Sequence, residues 1–258
     1  MINTGFTFNG ITSETMGVSL VRLNKDMINT TYTSGKTILE THPNKVLYPY
    51  FHGVKHSPLE FTITIASETN DMDSTKLYNL AQWLFKTEYK PFISDDNPNK
   101  VYYAMAVNKA DFITNGLDEG YFTIQFRCRD GFAWTVEEEE VFDLSASTGS
   151  TPISMDNDSN IDEWFYPELE IQLQGTDTEF ELINTDDSNN NLKFTGLEIG
   201  ETIYIDNQKR IILSSQGVDV NRFGTFNGNW FRLQYGVNTV NVVGKCIITY
   251  KKLFPVFT

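Results

Sequence analysis

From Gly200 to Val243 the chain reads GETIYIDNQKRIILSSQGVDVNRFGTFNGNWFRLQYGVNTVNVV, hairpin after hairpin, and no other stretch restricts the fold as much. Thr202 to Ile205 is apolar and β-branched, Asp206-Asn207 supplies turn residues, and Arg210 to Leu213 resumes the strand pattern. Asn227-Gly228 suits the positive φ angles of a type I′ turn, which predicts a strand over Trp230-Phe231-Arg232-Leu233. Tyr235 to Asn238 reads as another turn, with Thr239 to Val243 leading out of it. Nothing in this run points to catalysis. It is a scaffold of short antiparallel strands.

The rest of the chain fits that scaffold. Phe6 to Ile11 alternates and then turns, and Val18 to Leu23 is a second strand. Met27 to Val46 is polar and mixed, with turn signals at Ser34-Gly35 and His42-Pro43-Asn44, and reads as a long hairpin projecting from the body. It has too few apolar residues to anchor on its own domain. It is therefore expected to find its partner in a neighbouring subunit, and head-to-tail contacts that close make rings. Leu59 to Ala66 alternates as a half-buried strand, and Val101 to Val107 and Tyr121 to Cys128 follow the same rule. A single helix is expected between them. Asp73 or Ser74 caps it, Leu77, Leu80, Ala81 and Leu84 share a face, and Pro91 bars continuation. Burying its three leucines is worth about 1.5–3 kcal/mol each, so the helix is expected to pack across a sheet.

Between Glu137 and Asp162 the character changes to a charge run, then small polar residues, then an acidic stretch. This predicts a first β domain over 1–140, a linker over 141–162 and a second β domain over 163–250, strands resuming at Leu169 to Leu173, Phe180 to Ile183 and Leu192 to Phe194. Residues 251–258 contain Leu253, Phe254, Val256 and Phe257, too apolar to trail in water, and are expected to dock back on the first domain.

Charge and cysteine usage exclude several functions. The formal net charge of -14 opposes general nucleic-acid binding, which needs a basic surface, and opposes an anionic membrane surface equally. No apolar run approaches the roughly 20 residues of a membrane span. Met1 to Asn9 lacks the charged start and apolar run of a secretion signal, so synthesis in the cytosol and no export by the usual secretory route are expected. The two cysteines, Cys128 and Cys246, read as buried small hydrophobes rather than a disulfide.

Asp156-Asn157-Asp158-Ser159-Asn160 carries the odd-position oxygens of a calcium loop, but Ile161 stands at the obligatory glycine and Pro167 at the closing glutamate. His52 and His56 flank Gly53 in a β-rich region, and His42 is the remaining histidine, which speaks against a zinc site or a triad. Trp164, Trp230, Tyr204 and Tyr235 are candidates for an aromatic sugar platform, though such residues more often serve cores and strand pairs. The 34 acidic residues single out no hydrolytic pair. No catalytic, cofactor-binding or metal residue is assigned, and no cofactor.

The arrangement as a whole resembles a known family. FTFNGITSETMGV at Phe6 to Val18, a lone helix ending near Trp83-Leu84, PFISDD at Pro91 to Asp96, GETIYIDNQKRIIL from Gly200 and FNGNWFRLQYGVNTVNV from Phe226 resemble the distal tail proteins of long-tailed, non-contractile bacteriophages. The resemblance implies a mainly β protein of two sandwich-like domains, the N-terminal one with a single helix and a projecting hairpin, the C-terminal one galectin-like. It implies a structural, non-enzymatic virion protein at the tail tip, assembled in the host cytoplasm. Members form a hexameric ring joining the tail tube protein to the tail-tip protein, and often to the receptor-binding protein, around a channel for DNA; no specific nucleic-acid or membrane binding is implied. A carbohydrate-binding module and a tail-associated cell-wall hydrolase stay open as alternatives.

Overall fold

The computed structural model describes residues 5–21, 35–44, 47–67, 73–107, 111–114, 120–161 and 164–257. The chain divides into two compact units, Met1–Val136 with Val256–Thr258, and Glu137–Pro255. The fold is mainly β with one α-helix among the described residues.

The first unit runs β1 (Phe6–Phe8), β2 (Ile11–Thr12), β3 (Val18–Leu20), β4 (Lys36–Thr41), β5 (Tyr50–His56), β6 (Glu60–Ser67), α1 (Ser74–Leu84), β7 (Lys90–Ser94), β8 (Asn97–Ala106), β9 (Asp111–Thr114), β10 (Gly120–Cys128) and β11 (Ala133–Thr135). Asn9 and Gly10 both have positive φ (51° and 76°), the type I′ geometry that closes the β1–β2 hairpin. The main ladder is β2-β1-β7-β8-β10-β6-β3, with β9 on β10 and β11 on β8. β8 changes partner along its length, pairing with β7 as far as Ala104 and with β10 from Ala104 to Ala106. The two parts of the sheet thereby face each other. Phe92 on β7 meets Phe61 on β6 at 4.9 Å between ring centres, and Phe8 on β1 meets Phe126 on β10 at 5.4 Å. Along β10 the alternation is strict, with Phe122, Ile124, Phe126 and Cys128 all buried.

Helix α1 closes this core. The Asp73 carboxylate accepts from the Lys76 N–H at 2.7 Å, which satisfies one of the unpaired donors of the first turn. Leu80, Trp83 and Leu84 are buried, and the Trp83 indole stacks on Phe6 at 5.3 Å while its Nε1–H donates to the Phe8 carbonyl at 2.9 Å. Burial of Leu80 and Leu84 contributes about 1.5–3 kcal/mol each.

The second unit runs β12 (Glu138–Asp143), β13 (Thr151–Asn157), β14 (Glu168–Leu173), β15 (Phe180–Asn184), β16 (Asn190–Phe194), β17 (Thr202–Asp206), β18 (Ile211–Ser214), β19 (Gly236–Val243) and β20 (Cys246–Lys252); β21 (Pro255–Val256), where the chain re-enters the first unit, pairs with β11. Two antiparallel sheets form, β12-β20-β14-β17-β18 and β13-β19-β15-β16. Leu169, Ile171, Ile203, Ile205, Ile248 and Tyr250 from the first pack against Leu182, Leu192, Phe194, Val240 and Val242 from the second, a β-sandwich by packing. Both cysteines are buried free thiols, each pushed up to about 12 by burial first and then by neighbouring carboxylates, so neither is reactive.

Three expectations are corrected. The linker expected over 141–162 instead carries β12 and β13, paired along their lengths with β20 and β19. Its charges misled because β12 is an edge strand, where Glu138 and Glu139 stay in water while Phe142 packs on the core. Asn227-Gly228 makes no type I′ turn, since of the two only Gly228 has positive φ. The strand expected over 230–233 is an extended segment joined to Phe165 by one bridge at Leu233. Asparagine side chains peg it instead of a ladder. Asn207 accepts from the Phe231 N–H at 2.8 Å and donates to the Pro167 carbonyl at 2.7 Å; Asn184 donates to the Arg232 carbonyl at 2.9 Å; Asn238 accepts from the Gln234 N–H at 3.0 Å. Asn184, Asn207 and Asn238 are all buried, so these amides replace the backbone partners that water cannot supply. Of the expected projecting hairpin, residues 27–34 and 45–46 lie outside the described residues, as does the end of the strand expected over 18–23.

Candidate assembly surface

The feature of the first unit that its own fold does not explain is the hairpin β4–β5. It forms a two-stranded sheet of its own. Ser57 N–H donates to the Gly35 carbonyl at 2.9 Å and closes its base. Its register places Ile38 opposite Val54 and Glu40 opposite Phe51 on one face, and Leu39 opposite Gly53 and Thr41 opposite Tyr50 on the other. The register slips between Leu39 and Glu40, a bulge that leaves His52 outside the pairing; its ring lies 2.8 Å from the Thr41 hydroxyl.

Both faces and the tip are apolar and wet. Ile38 is 61% exposed, Leu47 86%, Tyr48 74% and Phe51 65%, with Leu39, Tyr50 and Val54 exposed as well. Lone two-stranded hairpins are marginal in water, and clustered exposed apolar side chains of this kind mark interaction sites. The hairpin expected from the sequence over 27–46 covers β4 and the His42-Pro43-Asn44 turn signal but leaves out β5, and its composition reads as polar. The run Leu47-Tyr-Pro-Tyr-Phe51 was the available signal, and its lack of period-2 alternation is what a strand presenting both faces to a partner shows.

The other candidates disperse. His42 lies 2.8 Å from Glu40, His52 sits at the bulge, and the His56 ring contacts Phe257, while no metal-binding cluster occurs among the described residues. Trp230 packs with Phe223 and Phe226, Tyr204 donates to Glu168 at 2.7 Å, and the Arg232 guanidinium covers Trp164 at 4.1 Å; Tyr235 stands exposed, and the four rings make no common platform. A cleft of about 600 Å³ in the second unit is lined by Ser147, Asp177, Glu179, Glu181, Lys193 and Lys245; its aromatic residue, Phe180, is buried and offers no stacking face. The buried carboxylates are each held by a cation. Arg222 grips Glu201 through two contacts of 2.8 Å, Arg232 grips Asp187 at 2.7 and 3.0 Å, and Lys209 reaches Asp206 at 2.7 Å. Burial pushes the Glu201 carboxyl up, but the Ser214 hydroxyl, the Glu198 N–H and Arg222 together outweigh it and hold the group below its usual range. A hydrolytic pair needs the reverse, one carboxyl raised so as to keep its proton.

Residues 1–130 match a family described as phage tail protein N-terminal domain, and residues 132–251 match one described as phage tail C-terminal domain. The chain is similar to YomH, an SPbeta prophage-derived protein of Bacillus subtilis (strain 168), at 27% identity over 250 residues, 95% of each chain. In structure it is similar to the Dit protein of phage SPP1, described as a paradigm of the hub adsorption apparatus in phages infecting Gram-positive bacteria, with a TM-score of 0.69 at 15% identity over 97% of this chain and 99% of that one. A chain of the phage P2 baseplate in its activated conformation with Ca superposes with a TM-score of 0.50 at 10% identity, covering 98% of each.

Proposed function

Since the chain belongs to the phage tail protein family and carries its N-terminal and C-terminal domains in order, we propose that it is a structural hub at the distal end of the tail. Six copies close into a ring through the first unit. The ring joins the tail tube protein to the tail-tip protein, leaves a central channel for DNA, and presents the second unit, a galectin-like sandwich, outward toward the receptor-binding protein. Its place is the virion tail tip after assembly in the host cytoplasm, and its role is structural rather than enzymatic.

The observation that carries this reading is the β4–β5 arm, whose exposed apolar faces suit the body of a neighbouring copy. Charge favours a second copy as the recipient. Between residues 36 and 56 the sequence holds three lysines, all three histidines of the chain and one glutamate, within a protein of net charge -14. A cationic apolar arm meeting an acidic body is complementary, which steers and registers the contact. Head-to-tail contacts of this kind close into a ring when the rotation per copy divides a full turn.

The test is the native mass of the full chain, alone and with its tail-tube partner, against a variant in which residues 36–56 are replaced by a short Gly-Ser turn. The expected result is a hexamer that the deletion reduces to smaller species. A hexamer that persists without the arm would place the ring contacts elsewhere.

A further inference from the structure

The base of the arm is not held by the hairpin alone. Lys36 and His56 form its first cross-strand pair and so point to the same face. Against that pair lies the ring of Phe257. Its centre is 5.5 Å from the His56 ring, and the Lys36 Nζ sits over it at 5.2 Å. The Phe257 carbonyl in turn accepts from the Lys100 Nζ at 3.4 Å, on β8 of the body. Just before it, β21 pairs with β11, which is itself paired to β8 at Trp134 and Val101. Val256 and Phe257 therefore belong to the first unit and run from its main sheet to the foot of the arm.

The foot is where direction is decided. A two-stranded arm with no ladder to the main sheet pivots at the chain segments that enter and leave it. A small rotation there moves a tip some 20 Å or more along the strands, given about 3.3 Å per residue over six to seven residues. A half-buried aromatic ring locked onto the first rung by a cation and a second ring removes that freedom.

We propose that Phe257 is the positioning residue of the arm: packed on the Lys36–His56 pair and tied to Lys100, it fixes the angle at which the hairpin leaves the body and meets a neighbouring copy. This rests on the reading of the arm as the ring contact. Phe257 need not touch the neighbour. It acts through Lys36 and His56, by holding the arm in the one orientation that closes a ring rather than leaving it to sample many.

The experiment compares the full chain with Phe257→Ala, and with Phe257→Tyr as the conservative control, by hydrogen exchange and native mass. Phe257→Ala is expected to speed exchange of the β4 and β5 amides by about tenfold or more, as local opening becomes easier, with β10 and β14 amides as protected as before. Phe257→Tyr restores both arm protection and assembly. Assembly by Phe257→Ala is expected to fall in step with the arm's protection. Unchanged exchange in β4 and β5 overturns the proposal. So does an arm that loosens while assembly stays intact in a protein whose assembly the arm deletion abolishes. If the arm loosens but neither wild type nor arm-deleted protein differs in mass, Phe257 holds the arm and the ring reading of the arm is what fails.

Discussion

At the scale of single residues, the second unit depends on polar groups that are buried and fully partnered. Glu201 has no exposed surface, and four hydrogen bonds from Ser214, Glu198 and Arg222 keep it ionised. Replacing Arg222 by Met leaves that charge without its cation, which typically costs about 3–5 kcal/mol. Denaturant unfolding followed at β14 and β17 amides is expected to show the loss there, with β10 unaffected. The pH dependence has a definite sign. A carboxyl held below its ordinary value of 4.5 contributes stability that is complete above that value and drains away as pH falls through the lower folded pKa. Acid titration of wild type is therefore expected to destabilise β17 below about pH 4.5, and Glu201→Gln to make that decline shallower. An equally steep decline in Glu201→Gln would assign the acid sensitivity to other groups.

At the scale of elements, the helix and the arm are opposites. α1 has a cap, an apolar face and a sheet to bury it against; Asp73 sets its start, and it ends at Phe85, which leaves the helical conformation well before Pro91. The arm has strands but no core. Its large side chains contribute little to the stability of the isolated chain, because they remain in water. The double variant Ile38→Thr, Phe51→Thr is therefore expected to leave the melting transition of the monomer within roughly 0.5 kcal/mol of wild type, as surface changes do, while assembly weakens by at least tenfold. Sedimentation at several concentrations reads the second effect and thermal unfolding the first. A loss of monomer stability without a change in assembly would make these residues structural.

At the scale of the whole molecule, net charge sets what the proposed ring would not do. With -14 per copy, the proposed ring would be strongly anionic, and DNA passing through it would meet like charge within a Debye length of about 8 Å at physiological salt. No gel shift with duplex DNA is expected near 0.15 M salt, roughly the physiological value; a clear shift, or a channel lined mainly by Lys and Arg, would overturn the proposal of free passage. Much of the molecule was legible in the sequence. The mainly β class, the helix with its cap, and the alternation of Leu169, Ile171 and Leu173 or of Phe122, Ile124 and Phe126 are local properties, decided by propensity and by a period that neighbouring residues carry themselves. Of the hairpin, the turn signal at His42-Pro43-Asn44 was visible, but its return strand β5 lay beyond the expected 27–46. Only the tertiary structure decided that Glu138 to Asp143 is an edge strand rather than a linker, because a strand with one wet side needs few apolar residues and looks like solvent-facing coil. It alone decided that Phe231 to Gln234 is pegged rather than laddered, because beyond the one bridge of Leu233 to Phe165 the groups that hold its backbone are asparagine side chains 4 to 48 residues away in the chain. And it alone brought Phe257 to the foot of the arm, 201 residues beyond His56, since contacts of such separation are set by how the sheets fold and not by any pattern along the chain.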